Sequence, residues 1–452
     1  MSVSFTGLFV LVMMLIVLLS GVQIGVGLMM TAFLGVLLST GRLAVAVSLF
    51  GGSAYSAIMN YAFAVVPLFV MVGLLANIAG ASTELYDTAS VMMRKLRGGV
   101  AIATVFANAV FAAITGVSIA SAAVFSKIAL PEMNHLGYDI KFSTGTIAGS
   151  SVLGMLIPPS MLMIIYGTLA EESIGKLFLG GIIPGIILSL IYMVTILIMA
   201  YTKPGYVGLD RSGKPINQAT TKNLGQELGL KVLFKPWGII LLIIITMGGI
   251  WGGFFTPTEA GGVGVVGAFL LAVAKRKMNW KALMNALLDT GKTTGSVLFI
   301  LIAAQMFSRM LAMSGLINMA TRKIMSFDLA PLAIVIIFCL IHLVLGCVLD
   351  STSILLLTMP IMVPIIRQLG FNTVWYGILA IIVIEIGLIT PPFGMSVFTI
   401  KSALANMRLS RPVSTEDIFL GSIPFMFGMV VLVVLIIAFP KIVMFLPSTM
   451  LE

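Results

Sequence analysis

The stretch Gly137–Pro159, GYDIKFSTGTIAGSSVLGMLIPP, has a counterpart in Gly370–Pro392, GFNTVWYGILAIIVIEIGLITPP. Both begin with a glycine and an aromatic residue, continue as a largely apolar run and end in Gly-x-x-x-Pro-Pro. The same offset along the chain pairs Ser118 with Ser351. Correspondence in register over such long segments indicates an internal duplication rather than chance recurrence of glycine and proline. We therefore expect two structural repeats.

The composition places the chain in a membrane. Of its 452 residues, 60% are hydrophobic and only 9% are charged, and the mean hydropathy is +1.16. A spanning helix needs roughly 20 apolar residues, and runs near that length recur, as in Phe5–Ser20, Tyr61–Gly80 and Phe178–Tyr201. The first run has neither a basic region before it nor a clear cleavage site, so we expect a retained helix. The sequence predicts an all-α polytopic membrane protein.

The net charge of +10 does not indicate nucleic-acid binding, because the basic residues lie in loops between apolar runs. With the N-terminus outside, spans follow near 5–20, 24–40, 59–80, 142–170, 177–201, 237–254, 258–274, 293–313, 372–405 and 418–440. Most basic residues then lie in the cytoplasm, as the positive-inside rule requires. The exceptions are Arg309 within a span and, outside, Arg42, Lys176, Arg322, Lys323, Arg367 and Lys441.

Two further apolar stretches, 98–131 and 331–366, are predicted to be re-entrant hairpins. The first breaks at Thr115-Gly116-Val117-Ser118, and each half is too short to cross comfortably. Each repeat then contains three spans, a hairpin, a broken span and a whole span. Because five crossings are an odd number, the second repeat starts on the opposite side and is inverted. The predicted regions are a first repeat, a cytoplasmic loop, a second repeat and a C-terminal tail, at 1–201, 202–236, 237–440 and 441–452.

The two Pro-Pro pairs predict cation sites. Pro158-Pro159 and Pro391-Pro392 supply no amide donors, so each ends a helix and frees carbonyl groups around Gly154–Ile157 and Gly387–Thr390. Free carbonyl groups within a membrane need protein, water or a cation beside them. With hydroxyl groups at the hairpin tips they form oxygen-only sites suited to a small hard cation such as Na⁺. We expect two or more sodium sites and no organic cofactor.

Helix N-termini at the same places favour an anionic substrate. Half-helices are expected to begin near Ser118, Ser160, Thr352 and Gly394, and their partial positive charge points inward. Inverted repeats with broken helices are typical of secondary transporters, in which the substrate binds between the repeats. The predicted substrate-binding residues are Ser118, Ser121, Ser160, Thr352, Ser353 and Gly394.

Four motifs resemble those of a known family. They are Leu153–Ser160 (LGMLIPPS), Phe178–Gly185 (FLGGIIPG), Phe255–Ala260 (FTPTEA) and Glu385–Gly394 (EIGLITPPFG). The chain resembles, over nearly its whole length, the large membrane subunit of tripartite ATP-independent periplasmic (TRAP) transporters. The resemblance implies a sodium-driven, elevator-type importer of a small organic acid in the inner membrane of a bacterium or archaeon, and it implies no enzyme activity.

The resemblance also implies partners and ion ligands. The partners are a small four-helix membrane subunit and a periplasmic binding protein that delivers the substrate. The implied ion-binding residues are, in the first repeat, Thr115, Gly116, Ser118, Gly154, Ile157 and Pro158 and, in the second, Gly346, Asp350, Ser351, Gly387, Thr390 and Pro391. The loop 203–236 is long for the family, which bears on regulation or partners. As a hypothesis, 98–170 and 331–405 slide against 24–80, 177–201, 237–313 and 418–440.

Three polar residues keep two interpretations each. Asp350 either caps the following helix or binds a cation, and we favour the cap. Glu385 either makes a helix-packing hydrogen bond or takes part in ion coupling. Arg309 either snorkels to the interface or attracts a carboxylate, and we favour snorkelling.

Two other functions compete with the importer. Ser118 and His342 can be drawn as the dyad of an intramembrane hydrolase, but no oxyanion-loop pattern lies nearby and an inverted second hairpin has no purpose in a single-site protease. Among transporters, the alternative is a stand-alone Na⁺- or H⁺-coupled dicarboxylate or ion carrier of the same superfamily. The Ser-Asn-Thr hairpin tripeptide of that group is absent from this chain. The sequence does not distinguish one organic acid from another.

Overall fold

The structure is a computed structural model that describes residues 3–59, 61–210, 230–327, 329–405, 407 and 411–450. The predicted all-α architecture is confirmed. In chain order the α-helices of the described residues are α1 Val3–Leu19, α2 Ile24–Thr40, α3 Leu43–Met59, α4 Val65–Ile78, α5 Ala81–Met93, α6 Gly99–Thr115, α7 Ser118–His135, α8 Ile140–Ser151, α9 Leu153–Leu156, α10 Met161–Ala170, α11 Ile174–Thr202, α12 Trp237–Trp251, α13 Pro257–Ala274, α14 Trp280–Met313, α15 Leu316–Met325, α16 Pro331–Gly346, α17 Ser351–Gln368, α18 Thr373–Leu388, α19 Met395–Ala403, α20 Thr415–Ala438 and α21 Lys441–Ser448.

Several of these helices suit a membrane. Among the described residues, six helices are long and apolar enough to cross one, and the number becomes eight if each of two bent helix pairs forms a single span. One bent pair is α4 with α5, at 62°, and the other joins α8 and α9 to α10, at 42°. The second bend lies at Pro158-Pro159, where the amide donors are missing.

The helices form two packing groups. The first, called here the core group, contains the hairpins α6–α7 and α16–α17, the broken helices α8–α10 and α18–α19, and the helices α11, α20 and α21. The second, called here the frame group, contains α1 to α4 and α12 to α15, with α5 packed mainly on the first hairpin. Helix α18 is buried along its whole length, so it lies at the centre of the core group.

This grouping differs from the sliding groups expected from the sequence. Helices α11 and α20, expected beside the frame, pack instead against the hairpins and broken helices. Glycines explain the closest of these contacts. A Cβ atom on Gly145 of α8 would lie 2.0 Å from the carbonyl oxygen of Gly421 in α20, and one on Gly421 would lie 1.9 Å from the carbonyl oxygen of Lys141. The two helix backbones therefore touch, which only glycine permits at these positions.

Other differences concern helix boundaries and helices that were not predicted. The apolar span expected at 293–313 is the end of α14, which begins at Trp280 after the capping residue Asn279. Helices α3, α5 and α15 lie in segments that were not predicted as spans, and α21 forms within the predicted tail 441–452 and packs on α11. Of the predicted cytoplasmic loop 202–236, residues 211–229 lie outside the described part of the chain.

The glycine contact between α8 and α20 gives a stability prediction. Replacing Gly421→Ala forces the two backbones apart, and overpacking of this kind costs about 1–3 kcal/mol. The thermal unfolding midpoint of the purified protein in detergent is expected to fall. Gly262→Ala is the matched control, because a Cβ atom there meets no atom within 4 Å and alanine favours a helix. Equal midpoints for the two variants would contradict the packing described.

Candidate functional site

The first hairpin tip contacts the first Pro-Pro loop directly. Gly116, between α6 and α7, has a φ of 64°, and its carbonyl oxygen accepts a hydrogen bond of 3.2 Å from the amide of Met161. A Cβ atom on Gly116 would lie only 2.2 Å from the carbonyl oxygen of Pro159. Both the backbone conformation and the close approach therefore require glycine here.

Gly154 of the first broken helix also lies against this hairpin tip. We call a hairpin tip together with the Pro-Pro loop that it contacts a half-site. A Cβ atom on it would lie 3.0 Å from the carbonyl oxygen of Val117 and 3.1 Å from the Cα of Ser118. Neither proline of the pair can donate to the carbonyls of Gly154 and Met155. The Met155 carbonyl has a different donor, since it accepts a 2.5 Å hydrogen bond from the Ser160 hydroxyl. The carbonyl of Gly154 is thus left without a donor in its own helix.

A small cavity adjoins the same tip. Its volume is about 10 Å³, close to the minimum needed for one water molecule. It lies between the hairpin tip, the Pro-Pro loop and the frame helix α4, and its lining includes Thr115, Gly116, Pro159, Ser160 and Phe69. Of the other residues implied for this repeat, Ile157 turns its side chain toward Gly185 of α11, which leaves only its backbone for an ion.

The second half-site has the same parts. A Cβ atom on Gly387 would lie 2.4 Å from the Cα of Gly346, so the second hairpin touches the second broken helix as closely as the first pair does. The amide of Phe393 donates to the carbonyl of Cys347 at 3.2 Å. The Thr390 hydroxyl donates to the carbonyl of Ile386 at 2.6 Å, and the Thr390 amide donates to that of Gly387 at 3.0 Å.

One carbonyl of this second loop also lacks a donor in its own helix. Pro391 and Pro392 follow the helix end, so the carbonyl of Leu388 has no donor in its own helix. Leu388 is the counterpart of Met155 in the register of the two stretches, whereas the carbonyl of Gly387, the counterpart of Gly154, accepts from the Thr390 amide. Each Pro-Pro loop thus presents a helix-terminal carbonyl beside a hairpin tip.

The capping interpretation of Asp350 is confirmed. Asp350 is the N-cap residue of α17, and its carboxylate accepts a hydrogen bond of 3.1 Å from the amide of Ser353 and a further one from the Ser353 hydroxyl. Ser353 is therefore occupied by the cap, while Thr352 is partly exposed. In the first repeat, Ser160 caps α10 by accepting from the amide of Met163.

Half-helices begin at the expected places. Helix α7 starts at Ser118, α10 follows Ser160, α17 starts at Ser351, and α19 follows Gly394, whose φ is 53°. The positive ends of four helix dipoles are thus near the two hairpin tips.

Ser121 belongs to a buried network that the sequence analysis missed. Its hydroxyl donates to the side-chain oxygen of Asn108 on the other arm of the hairpin. The Asn108 amide group donates at 2.9 Å to the Ser150 hydroxyl of α8. All three side chains are fully buried. A single asparagine in the apolar run of α6 was the available signal, because an intramembrane polar residue rarely lacks a role.

The second hairpin has a comparable bond between its arms. The His342 Nε2 of α16 lies 2.9 Å from the Thr358 hydroxyl of α17. The structure does not form the hydrolase dyad, since Nε2 pairs with Thr358 and the other ring nitrogen, Nδ1, has no hydrogen-bond partner among the described residues. The Ser118 hydroxyl is buried and has no hydrogen-bond partner among the described residues.

Arg309 and a polar cavity lie away from the two hairpin tips. The Arg309 guanidinium donates to the hydroxyl groups of Ser53 and Ser56 at 3.2 and 3.1 Å, and it lies on the outside of the frame group. A cavity of about 570 Å³ lies between α7 and α19. Its polar lining is Lys127, Thr399 and Ser402. The sequence analysis did not single out Lys127.

The chain is similar to known transporter proteins. A family model described as "Tripartite ATP-independent periplasmic transporter, DctM component" matches residues 11–442. The C4-dicarboxylate TRAP transporter large permease protein DctM of Pseudomonas aeruginosa is 32% identical over 390 residues, which are 86% of this chain and 87% of that protein. The sialic acid TRAP transporter large permease protein SiaM of Vibrio cholerae is 28% identical over 440 residues, 96% of each chain.

A solved structure has a similar fold. The crystal structure of the YdaH transporter of Alcanivorax borkumensis superimposes with a TM-score of 0.60 at 12% identity, and the match covers 90% of each chain. At this identity the likeness concerns the arrangement of helices alone.

The Asn108 network predicts a loss of stability. Asn108→Ala leaves the buried hydroxyl groups of Ser121 and Ser150 without their partner, at a cost of about 1–3 kcal/mol. The thermal unfolding midpoint should fall accordingly. Asn318→Ala is the control, because Asn318 is exposed and its side chain holds no comparable network. An unchanged midpoint for Asn108→Ala would show that the network does not join the hairpin arms to α8.

Proposed function

Because the chain belongs to the DctM family of tripartite ATP-independent periplasmic transporters, we propose that it is the large permease subunit of a sodium-coupled importer of a small organic acid. The relatives are transporter permeases and not enzymes, so the hydrolase alternative is excluded. The observation that carries the proposal is the contact of each hairpin tip with a Pro-Pro loop, in which the prolines deprive a carbonyl of the donor in its own helix.

Sodium coupling is proposed from the chemistry of these two half-sites. Each brings together carbonyl groups without helix donors and hydroxyl groups at a hairpin tip. No cluster of three or more His, Cys, Asp or Glu side chains suitable for a transition metal occurs in the described ranges. Oxygen ligands of this kind suit a small hard cation. The Na⁺ ligands proposed are the backbone carbonyls of the two loops with the hydroxyl groups of Ser118 and Ser351.

The cargo is proposed to be a carboxylate. One relative is named for C4-dicarboxylates and the other for sialic acid, and both are organic acids. The four helix N-termini near the hairpin tips favour an anion there. The cavity between α7 and α19 has walls from both repeats, and Lys127 gives it a positive charge. This cavity suits the passage of an organic anion between the repeats.

The partners are proposed from the family description. A tripartite periplasmic transporter has two components besides this one, and we assign them as a small membrane subunit and a periplasmic binding protein. The same description supports a bacterial or archaeal inner membrane as the location. The positive-inside distribution of the loops supports the inverted orientation of the two repeats.

The movement is proposed to be an elevator. The core group carries both half-sites, and the helices α11 and α20 move with it, as their packing against the hairpins and broken helices supports. The frame group stays fixed with the small subunit. The interface between the groups includes the contact of Gly73 in α4 with the tip residue Thr115.

Uptake by reconstituted protein tests the proposal. Proteoliposomes that contain this chain, its small membrane subunit and the binding protein should take up radiolabelled succinate or sialic acid when an inward Na⁺ gradient is imposed. An equal K⁺ gradient is the control. Uptake should be lost when the binding protein is omitted. Robust uptake by this chain alone would favour the stand-alone carrier, and uptake independent of Na⁺ would contradict sodium coupling.

A further inference from the structure

Glu385 is a carboxylate at the centre of the core group. It lies on α18, every residue of which is buried, and only 1% of Glu385 is exposed. One oxygen accepts a hydrogen bond of 2.8 Å from the Ser351 hydroxyl at the start of the second hairpin's return helix. The other oxygen, Oε2, has no hydrogen-bond partner in the described part of the protein.

The first hairpin reaches the same carboxylate. The Ser118 hydroxyl is also close enough to Glu385 for a polar interaction, although no hydrogen bond of normal geometry joins them. Ser118 follows directly after the tip that contacts Gly154, and Glu385 is two residues before Gly387. Glu385 therefore interacts with the second hairpin through Ser351 and with the first through Ser118.

The charge of this carboxylate is not balanced by the protein. None of the described Lys or Arg side chains forms an ion pair with Glu385, and the described ion pairs lie elsewhere. An ionised carboxylate can accept about four hydrogen bonds, and this one has a single partner. Burying such a group without compensation costs several kcal/mol. Either a cation or a proton from solution must therefore neutralise it.

We propose that the Glu385 carboxylate is a further Na⁺ ligand, placed with the hydroxyl groups of Ser118 and Ser351 at the junction of the two hairpins. This inference rests on the proposed sodium coupling and adds to it a charged ligand that the two half-sites share. The unpartnered Oε2 of Glu385 and the unpartnered Ser118 hydroxyl supply oxygen ligands from two different elements. The bound cation neutralises the carboxylate and joins the first hairpin to the second.

The buried hydroxyl of Tyr192 supports a polar site at this depth. Tyr192 lies on α11 close enough to Glu385 for an electrostatic interaction, and its hydroxyl also has no hydrogen-bond partner among the described residues. Three helices and one hairpin tip thus contribute polar atoms to a region that is otherwise apolar. Among the described residues, the polar groups that interact with Glu385 are Ser118, Ser351 and Tyr192.

The test measures the Na⁺ dependence of thermal stability. The purified protein is heated in detergent at a series of Na⁺ concentrations, with choline keeping the ionic strength constant. A cation that binds only the folded state raises the unfolding midpoint by mass action. For Glu385→Gln we expect the Na⁺ concentration that gives half of the maximal stabilisation to rise at least about tenfold. Losing a residue that only hydrogen-bonds to a metal ligand already lowers metal affinity about 10–100-fold, and Glu385 is proposed to be a ligand itself.

Two variants keep the result interpretable. Glu416→Gln makes the same change on an exposed residue and should keep the wild-type Na⁺ response. If Glu385→Gln fails to fold, Glu385→Asp keeps the charge but withdraws it by one methylene group, and its half-maximal Na⁺ concentration should also rise.

Three outcomes would overturn the inference. A Glu385→Gln or Glu385→Asp protein with the wild-type Na⁺ midpoint would remove the carboxylate from the site while leaving sodium coupling intact. A wild-type protein that is stabilised by falling pH and not by Na⁺ would show that a proton occupies the carboxylate. A wild-type protein that responds equally to Na⁺, K⁺ and choline would overturn the proposed sodium coupling together with this site.

Discussion

The structure depends on the two places where proline removes backbone donors inside a membrane. Within hydrocarbon a free carbonyl group costs several kcal/mol unless protein, water or an ion lies beside it. Pro158-Pro159 and Pro391-Pro392 create such groups at the ends of two helices. The hairpin tips at Gly116 and Gly346 lie against these ends, and that close approach is possible because the residues lack side chains. The hairpin tips thus cover the helix ends at which the prolines remove backbone donors.

Much of this arrangement follows from the sequence because local chemistry decides it. The hairpin break at Thr115-Gly116-Val117-Ser118 coincides with the turn between α6 and α7, since glycine adopts the left-handed conformation there and serine starts the next helix. Both Pro-Pro pairs end helices for a reason that is visible in the sequence. The cap formed by Asp350 is equally local, because Asp350 and the residue that donates to it, Ser353, are three positions apart.

Other features depend on contacts between distant segments, which a single sequence does not reveal. Gly145 and Gly421 bring α8 and α20 together, yet many glycines in this chain have open space around them. The bond between Asn108 and Ser150 joins residues 42 positions apart. The sequence singles out Glu385 as an acid within an apolar run, but only the fold shows that it interacts with both Ser351 and Ser118. Helices such as α5 and α15 were missed because they are too short and polar to look like spans.

A reversible cross-link tests whether the core group slides against the frame group during transport. A Cβ atom on Gly73 of α4 would lie 3.2 Å from the Cα of Thr115, so Gly73→Cys and Thr115→Cys place two thiols within disulfide reach in a background lacking Cys339 and Cys347. Uptake by proteoliposomes is then measured after oxidation and again after reduction, with each single cysteine variant as control. The elevator account predicts that oxidation abolishes uptake and that reduction restores it. Full uptake by the oxidised, cross-linked protein would contradict that account.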